Sequence, residues 1–294
     1  MHTTAHHPLR GLISSLLASI LFGAMFFLAG TVDAAAEAVF GWRMLVTAAC
    51  FAIALLWPAN RRALADLWAA LRRRPWMPLV LVGTSALVGV QMWLFAWAPM
   101  HGHGLDTSLG YLLLPLMLVL SGRFLFHDRV TRTQWTAVAI AAVAVIVKLV
   151  FTASLSWVTV LVCVGYTVYF ALRTRFGLAT QSAFGGEIAL LCIVAVPLIL
   201  VSRGADTIGE QSLVLLIGLG GAAAMTAYLA ASHLLSMPVF GLLTYVEPVL
   251  MFVASLLLGE RLTASDAVAY GLLAVALGVL AAGSLPRRGR IPRT

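Results

Sequence analysis

The sequence predicts an all-α integral membrane protein of ten transmembrane helices, arranged as two inverted five-helix repeats. Three observations carry this. Of 294 residues, 62% are hydrophobic and 10% charged, too little polar surface to coat a soluble globule. Apolar runs recur along the whole chain, each long enough to cross ~30 Å of hydrocarbon as a helix. The second half of the chain also repeats a pattern found in the first.

The runs cover residues 11–30, 37–57, 76–97, 107–126, 133–150, 154–172, 183–202, 211–232, 239–258 and 264–283. The first has the basic flank and small residues of a secretory signal. Its apolar stretch is longer than a signal core, so it reads as a span. The second carries Arg43 inside its apolar length. Arg61, Arg62, Arg72, Arg73 and Arg74 follow it. The third holds Trp93, Phe95 and Trp97, and the fourth holds Tyr111 and Pro115. The fifth carries Ala137 and Ala141, with Lys148 at its end. Tyr166, Tyr169 and Phe170 lie in the sixth, Glu187 in the seventh and Tyr228 in the eighth. The ninth contains "TYVEPVLMF", which sets Tyr245, Glu247 and Pro248 side by side. The tenth has Ala274, Gly278 and Ala282 spaced by four. Such stripes let helix backbones approach, so spans five and ten read as a scaffold pair away from any cavity. Cys50, Cys163 and Cys192 lie within spans and read as small core hydrophobes.

The net charge of +8 is distributed by side. Arg10, the five arginines between spans two and three, Arg123, Arg129, Arg132, Arg173, Arg175 and the tail arginines Arg287, Arg288, Arg290 and Arg293 share one side. Only Arg203, Arg261 and Lys148 fall on the other. By the positive-inside rule both termini are cytoplasmic. This asymmetry explains the basic balance without a nucleic-acid partner.

The repeat shows when "LLLPLMLVLSGRFLFHDRVTRTQWTAVAIAAVAVIV" (112–147) is set against "YVEPVLMFVASLLLGERLTASDAVAYGLLAVALGVLA" (245–281). Pro115 matches Pro248, and Asp128–Thr131 matches Glu260–Thr263. The halves run over 1–152 and over 153–294, the second with the short basic tail. Five spans per half is odd, so the second half enters the membrane inverted, a common transporter plan with the site at the repeat interface. Pro115 and Pro248 are expected to break the fourth helix of each half. Each removes a backbone hydrogen bond, and the freed carbonyl needs a protein or water partner.

Charge inside a membrane costs roughly 2.5–3.5 kcal/mol per residue on insertion scales and so marks a cavity or a partner. Glu247 and Arg43 qualify. Glu187 lies nearer a span end, where snorkelling and function both remain open. Lys148 and Arg123 are expected to snorkel. Arg43 is a candidate to hold an anionic group or to balance Glu247. Glu247 is a candidate to bind a cationic group or to carry a coupling proton. Trp93, Tyr111, Tyr169 and Tyr245 are candidates to shape the pocket, since buried hydroxyls need partners. No Walker loop, dinucleotide fingerprint or His-Glu-x-x-His appears, and "HGH" at 101–103 is weak as a metal site. No cofactor, metal or enzymatic role is expected.

Residues 107–135, "TSLGYLLLPLMLVLSGRFLFHDRVTRTQW", resemble the RarD family, within the EamA-domain group of the drug/metabolite transporter superfamily. The matching elements are Ser108–Tyr111, Pro115–Leu116, Asp128 and Gln134–Trp135. Further matches are Trp93, Trp97, Trp157, Tyr169, Arg173, Glu187 and "GLLTYVEP" at 241–248. The family pattern differs at Trp42, where it has His, at Thr244, where it has Gln, and at Glu247, where an apolar residue is usual. The resemblance implies a polytopic inner-membrane permease and an exporter. The combined expectation is a secondary transporter of small amphipathic metabolites or drugs by alternating access, with a proton as candidate coupling ion. A monomer or weak homodimer in the bilayer is expected. An uncoupled channel-like facilitator and a non-transporting scaffold stay open as alternatives.

Overall fold

A computed structural model describes residues 8–152, 155–202, 204, 207–235 and 237–284. The expected basic tail, Arg203 and the division at residue 152/153 fall on or beside residues outside this set. The described residues form twelve helices: α1 (Pro8–Ala29), α2 (Ala36–Ala54), α3 (Pro58–Arg73), α4 (Met77–Met100), α5 (Gly104–Leu125), α6 (Arg132–Thr152), α7 (Trp157–Phe176), α8 (Gln181–Val201), α9 (Ile208–Leu234), α10 (Met237–Leu243), α11 (Val246–Leu257) and α12 (Ala264–Ser284). Ten spans are long and apolar enough to cross a membrane, one of them made of α10 and α11 together. Helix is the form such segments take in hydrocarbon, because every backbone polar group must be satisfied within its own segment. Side chains such as Leu79, Ile193, Leu200 and Ile208 are exposed at 69–83%, as lipid-facing residues are.

The extensive helix packings join the first half of the chain to the second. α1 packs on α9 and α11, α2 on α8 and α9, α4 on α7 and α8, α5 on α7 and α11, and α6 on α12. Small residues permit the closest approaches. A Cβ on Gly110 would stand 2.7 Å from Val162 Cβ, bringing α5 against α7, and one on Gly41 would meet Ile199 of α8 at 2.5 Å.

Four details depart from expectation. The loop between spans two and three is the helix α3, opened by Pro58 at its first turn and with no buried residue. α5 runs unbroken through Pro115, whereas span nine is interrupted at Thr244 and Tyr245, just before Pro248. Proline removes the same backbone donor in both. At Pro115 the preceding turn is held from outside, Gly110 against α7 and the Tyr111 hydroxyl by Tyr166, so the helix absorbs the loss. α6 and α12 do pair, but α12 presents Leu273, Ala276, Leu277 and Leu280 to Ala137, Ala141 and Ala144. Ala274, Gly278 and Ala282 face outward instead. Lys148 does not snorkel; its ammonium binds Asp266 Oδ1 across that pair, which shields a charge next to lipid.

Candidate functional site

The two central charges come from two helices, α2 and α11. Arg43 projects from the second turn of α2, and its side chain is buried, with Cζ 4.9 Å from the Phe95 ring centroid on α4. Gly221 of α9 leaves room for it: a Cβ there would stand 3.2 Å from Arg43 Nε. Glu247 sits in the first turn of α11, immediately after the break. It lies within electrostatic reach of Arg43, Tyr111 and Tyr228. Neither the Arg43 guanidinium nor the Glu247 carboxylate has a hydrogen-bond or ion-pair partner among the described residues. Opposite charges that face each other in a low-dielectric interior without bonding leave a gap between them. Groups of that kind are costly unless something fills the gap.

Aromatic side chains frame the two charges. The hydroxyls of Tyr111 on α5 and Tyr166 on α7 hydrogen-bond at 3.0 Å. Both rings are partly exposed although they lie well inside their spans. Beneath them Met25, Phe26, Phe95, Ala224 and Met251 form a buried floor drawn from α1, α4, α9 and α11. Arg43, Tyr111 and Glu247 therefore lie within electrostatic reach of one another.

The other candidates go elsewhere. Trp93 donates through Nε1 to Glu37 Oε1 at 3.1 Å and stacks on Trp97 at 5.6 Å. Those rings continue to His103, 5.5 Å from Trp97, so Trp93 belongs to the wall toward the opposite end from α3. Tyr245 packs into the cluster around Leu109, Leu113 and Leu273, on the α5, α6 and α12 side. Pro115 lies within continuous helix, and Pro248 lies beside Glu247.

Tyr169 is part of a second, closed polar group. Its hydroxyl donates to Glu187 Oε2 at 2.9 Å and accepts from Arg173 Nη1. Arg173 Nη1 also reaches Glu187 Oε2 at 3.2 Å, while its Nε and Nη2 donate to the Leu178 and Thr180 carbonyls at 2.9 and 2.8 Å. Ser85 of α4 adds a bond to the Glu187 carbonyl at 3.0 Å. Glu187 is 0% exposed, so neither snorkelling nor solvent contact describes it here. This knot ties α4, α7 and α8 at the end of the bundle that carries α3.

Two signals for these residues went unused. Tyr166, Tyr169 and Arg173 are spaced i, i+3, i+7, one face of a helix. Phe184-Gly185-Gly186-Glu187 also echoes Phe40-Gly41-Trp42-Arg43, placing Glu187 at the position in α8 that Arg43 holds in α2. Among the described residues no group of three His, Cys, Asp or Glu is arranged to hold a metal.

An uncharacterised transporter of Pasteurella multocida is 35% identical over 261 residues, 86% of this chain and 89% of its own. The chloramphenicol-sensitive protein RarD of Pseudomonas aeruginosa is 38% identical over 216 residues, 69% of each chain. The chain belongs to the RarD-like permeases of the drug/metabolite transporter type. Protein RarD of Salmonella typhi matches this permease at 27% over 246 residues, 81% of each chain. No protein-family model matches the chain. A crystal structure of a protein 18% identical superposes with a TM-score of 0.56 over 93% of the permease and 97% of its own chain, a likeness of fold alone. The permease is thus a multi-pass membrane transporter.

Proposed function

We propose that this permease is a secondary transporter that exports small amphipathic solutes by alternating access, binding them between Arg43 and Glu247. One observation carries the reading: two opposite charges inside the spans, coupled electrostatically, with no bonded partner among the described residues. Two such charges cost roughly 5–7 kcal/mol in total on insertion scales, an expense that a binding function accounts for. A solute with an electronegative end toward Arg43, a cationic end toward Glu247 and a flat apolar body against Tyr111, Tyr166 and Phe95 satisfies all of them.

The packing pattern supports two inverted halves. Exchanging each span of one half for its counterpart in the other carries the α1–α9 packing onto α7–α4. It carries α5–α7 onto α11–α1, and it leaves α2–α8, α5–α11 and α6–α12 each paired with itself. Two halves that pack mainly on each other can rock about a site held between them. Charge asymmetry supports cytoplasmic termini in an inner membrane.

A second reading has Glu247 carry a coupling proton. Binding to purified protein separates the two. Three compounds with one aromatic skeleton are compared: a zwitterion, its neutral-carboxyl cation and its amine-free anion. The zwitterion should raise thermal stability most. Glu247→Gln should shift preference toward the anion and Arg43→Gln toward the cation, each by about tenfold, the worth of one charge-assisted contact. If Glu247→Gln leaves the ranking unchanged yet abolishes uptake driven by a pH gradient, Glu247 is the proton carrier. If none of the compounds binds and neither variant alters transport, the site lies elsewhere.

A further inference from the structure

A cavity of about 1170 Å³ lies between α3 and the bundle, lined by α2, α3, the end of α7 and the first turns of α8. None of the central residues lines it, so it is separate from the Arg43–Glu247 site. Its size exceeds the roughly 300–1,000 Å³ usual for a drug-sized ligand. It stays open because α3 is pinned at both ends. Arg61 Nε and Nη2 donate to the Leu55 and Leu56 carbonyls at 2.8 and 2.9 Å, and Asn60 donates to the Ala54 carbonyl at 2.7 Å. These bonds satisfy the orphan carbonyls at the end of α2. Farther along, Leu67 and Leu71 pack on Met77, Leu81 and Leu178.

The other face of α3 looks outward. Trp68 is 56% exposed, with Arg72 5.0 Å above its ring. Trp57 and Trp76 are exposed at either end of the helix. A helix with this division of apolar and basic faces lies in the plane of a membrane interface. The cavity beneath it therefore opens where lipid headgroups meet acyl chains.

The lining is divided in the same way. Phe51, Leu55, Leu64 and Leu67 form an apolar wall, while Arg73, Arg74 and Arg175 supply three exposed guanidinium groups. No carboxylate among the described residues lies within ion-pair distance of any of the three, although Asp66 lines the same cavity. Guanidinium pairs bidentately with phosphate. A free phosphate has no use for the apolar wall, and a neutral lipid has none for three cations without a carboxylate partner, of which Arg74 lies 5.7 Å over the Trp76 ring.

We infer that this cavity is a built site for one anionic glycerophospholipid, its headgroup phosphate held by Arg73, Arg74 and Arg175 and an acyl chain lying against Phe51 and Leu67. Lipid bound there bridges α3, α2 and the start of α8, which also carries Glu187. Bound anionic lipid therefore stiffens the end of the bundle closed by the Arg173–Glu187 knot.

The test uses the full-length chain, delipidated and placed in nanodiscs of phosphatidylcholine with or without phosphatidylglycerol. Native mass spectrometry should find phosphatidylglycerol retained on release, and the melting temperature should rise with it. The triple variant R73Q/R74Q/R175Q should lose the preference for phosphatidylglycerol by about a hundredfold, from roughly 1 kcal/mol per basic side chain at a membrane surface. Gly186→Leu probes the tail. A Cβ there meets Leu67 and Leu81 at an ordinary 3.5 and 3.6 Å, so the longer side chain enters the cavity. It should lower phosphatidylglycerol retention with all three arginines in place. Equal retention of both lipids by the unaltered protein overturns the inference. So does stabilisation of equal size by inorganic phosphate, or an undiminished preference in both variants. Should the triple variant not fold, the lipid comparison on the unaltered protein and on Gly186→Leu decides.

Discussion

Removing Arg173 should destabilise the fold more than any other single substitution of a charged side chain near that end. The guanidinium makes four contacts: the Tyr169 hydroxyl, Glu187 Oε2 and the carbonyls of Leu178 and Thr180. Arg173→Met keeps most of the packed volume and deletes all four. Glu187, 0% exposed, is then a buried carboxylate left with the Tyr169 and Thr84 hydroxyls and no cation. Breaking a buried pair in this way costs about 3–5 kcal/mol, and the carbonyl of the buried Leu178 adds about 1 kcal/mol. Interhelical hydrogen bonds within membranes average nearer ~0.6 kcal/mol, so about 3 kcal/mol is the expected net loss. The double variant Arg173→Met with Glu187→Leu removes the stranded charge as well, and should recover at least about 1 kcal/mol relative to Arg173→Met alone. Tyr169→Phe should cost about 1.5 kcal/mol, one hydrogen bond to a charged group. Unfolding free energies from denaturant titration in mixed micelles, followed by tryptophan fluorescence, measure all of these. A loss under about 1 kcal/mol for Arg173→Met, or a double variant less stable than the single one, would refute the account of a buried pair.

Gly221→Leu should displace the Arg43 guanidinium, because even a Cβ stands 3.2 Å from its Nε. Solute binding by thermal shift should fall at least about tenfold, while expression and helix content stay near those of the unaltered protein. Glu260 governs a pH effect outside the spans. Burial pushes its carboxyl up from the ordinary range, the Leu105 and Gly104 amides and His103 pull it only part of the way back, and the nearby Asp106 carboxylate pushes it further up. A raised folded-state value means that its contribution is complete below about pH 4.3 and is lost as pH rises through the folded value. Glu260→Gln should therefore flatten the melting temperature above that pH. Its deficit against the unaltered protein should be largest in acid and shrink toward neutrality; a constant deficit from acid to neutral pH would sink the assignment.

How much of this was readable in advance depended on whether one segment or several decide the outcome. All ten spans, and Arg43 and Glu247 as residues out of place within them, follow from hydropathy, since each segment meets the bilayer by itself. α3 is less legible, because it is a short amphipathic helix whose arginine-rich sequence lacks the long apolar run that marks a span. Pro115 and Pro248 are alike in sequence, yet only the second accompanies a break. The difference lies in neighbours supplied by distant parts of the chain.

Composition and local order thus determined the class of protein, the number of spans and the cost of the charges within them. Tertiary structure alone decided which of those charges are paired. Arg173 and Glu187 meet across the α7–α8 turn and close on Tyr169, whereas Arg43 and Glu247 face each other from α2 and α11 and stop short of contact. Whether two such charges close into a pair is set by how helices far apart in sequence pack, because Coulomb energy in a low-dielectric interior depends on distance and on what fills the space between.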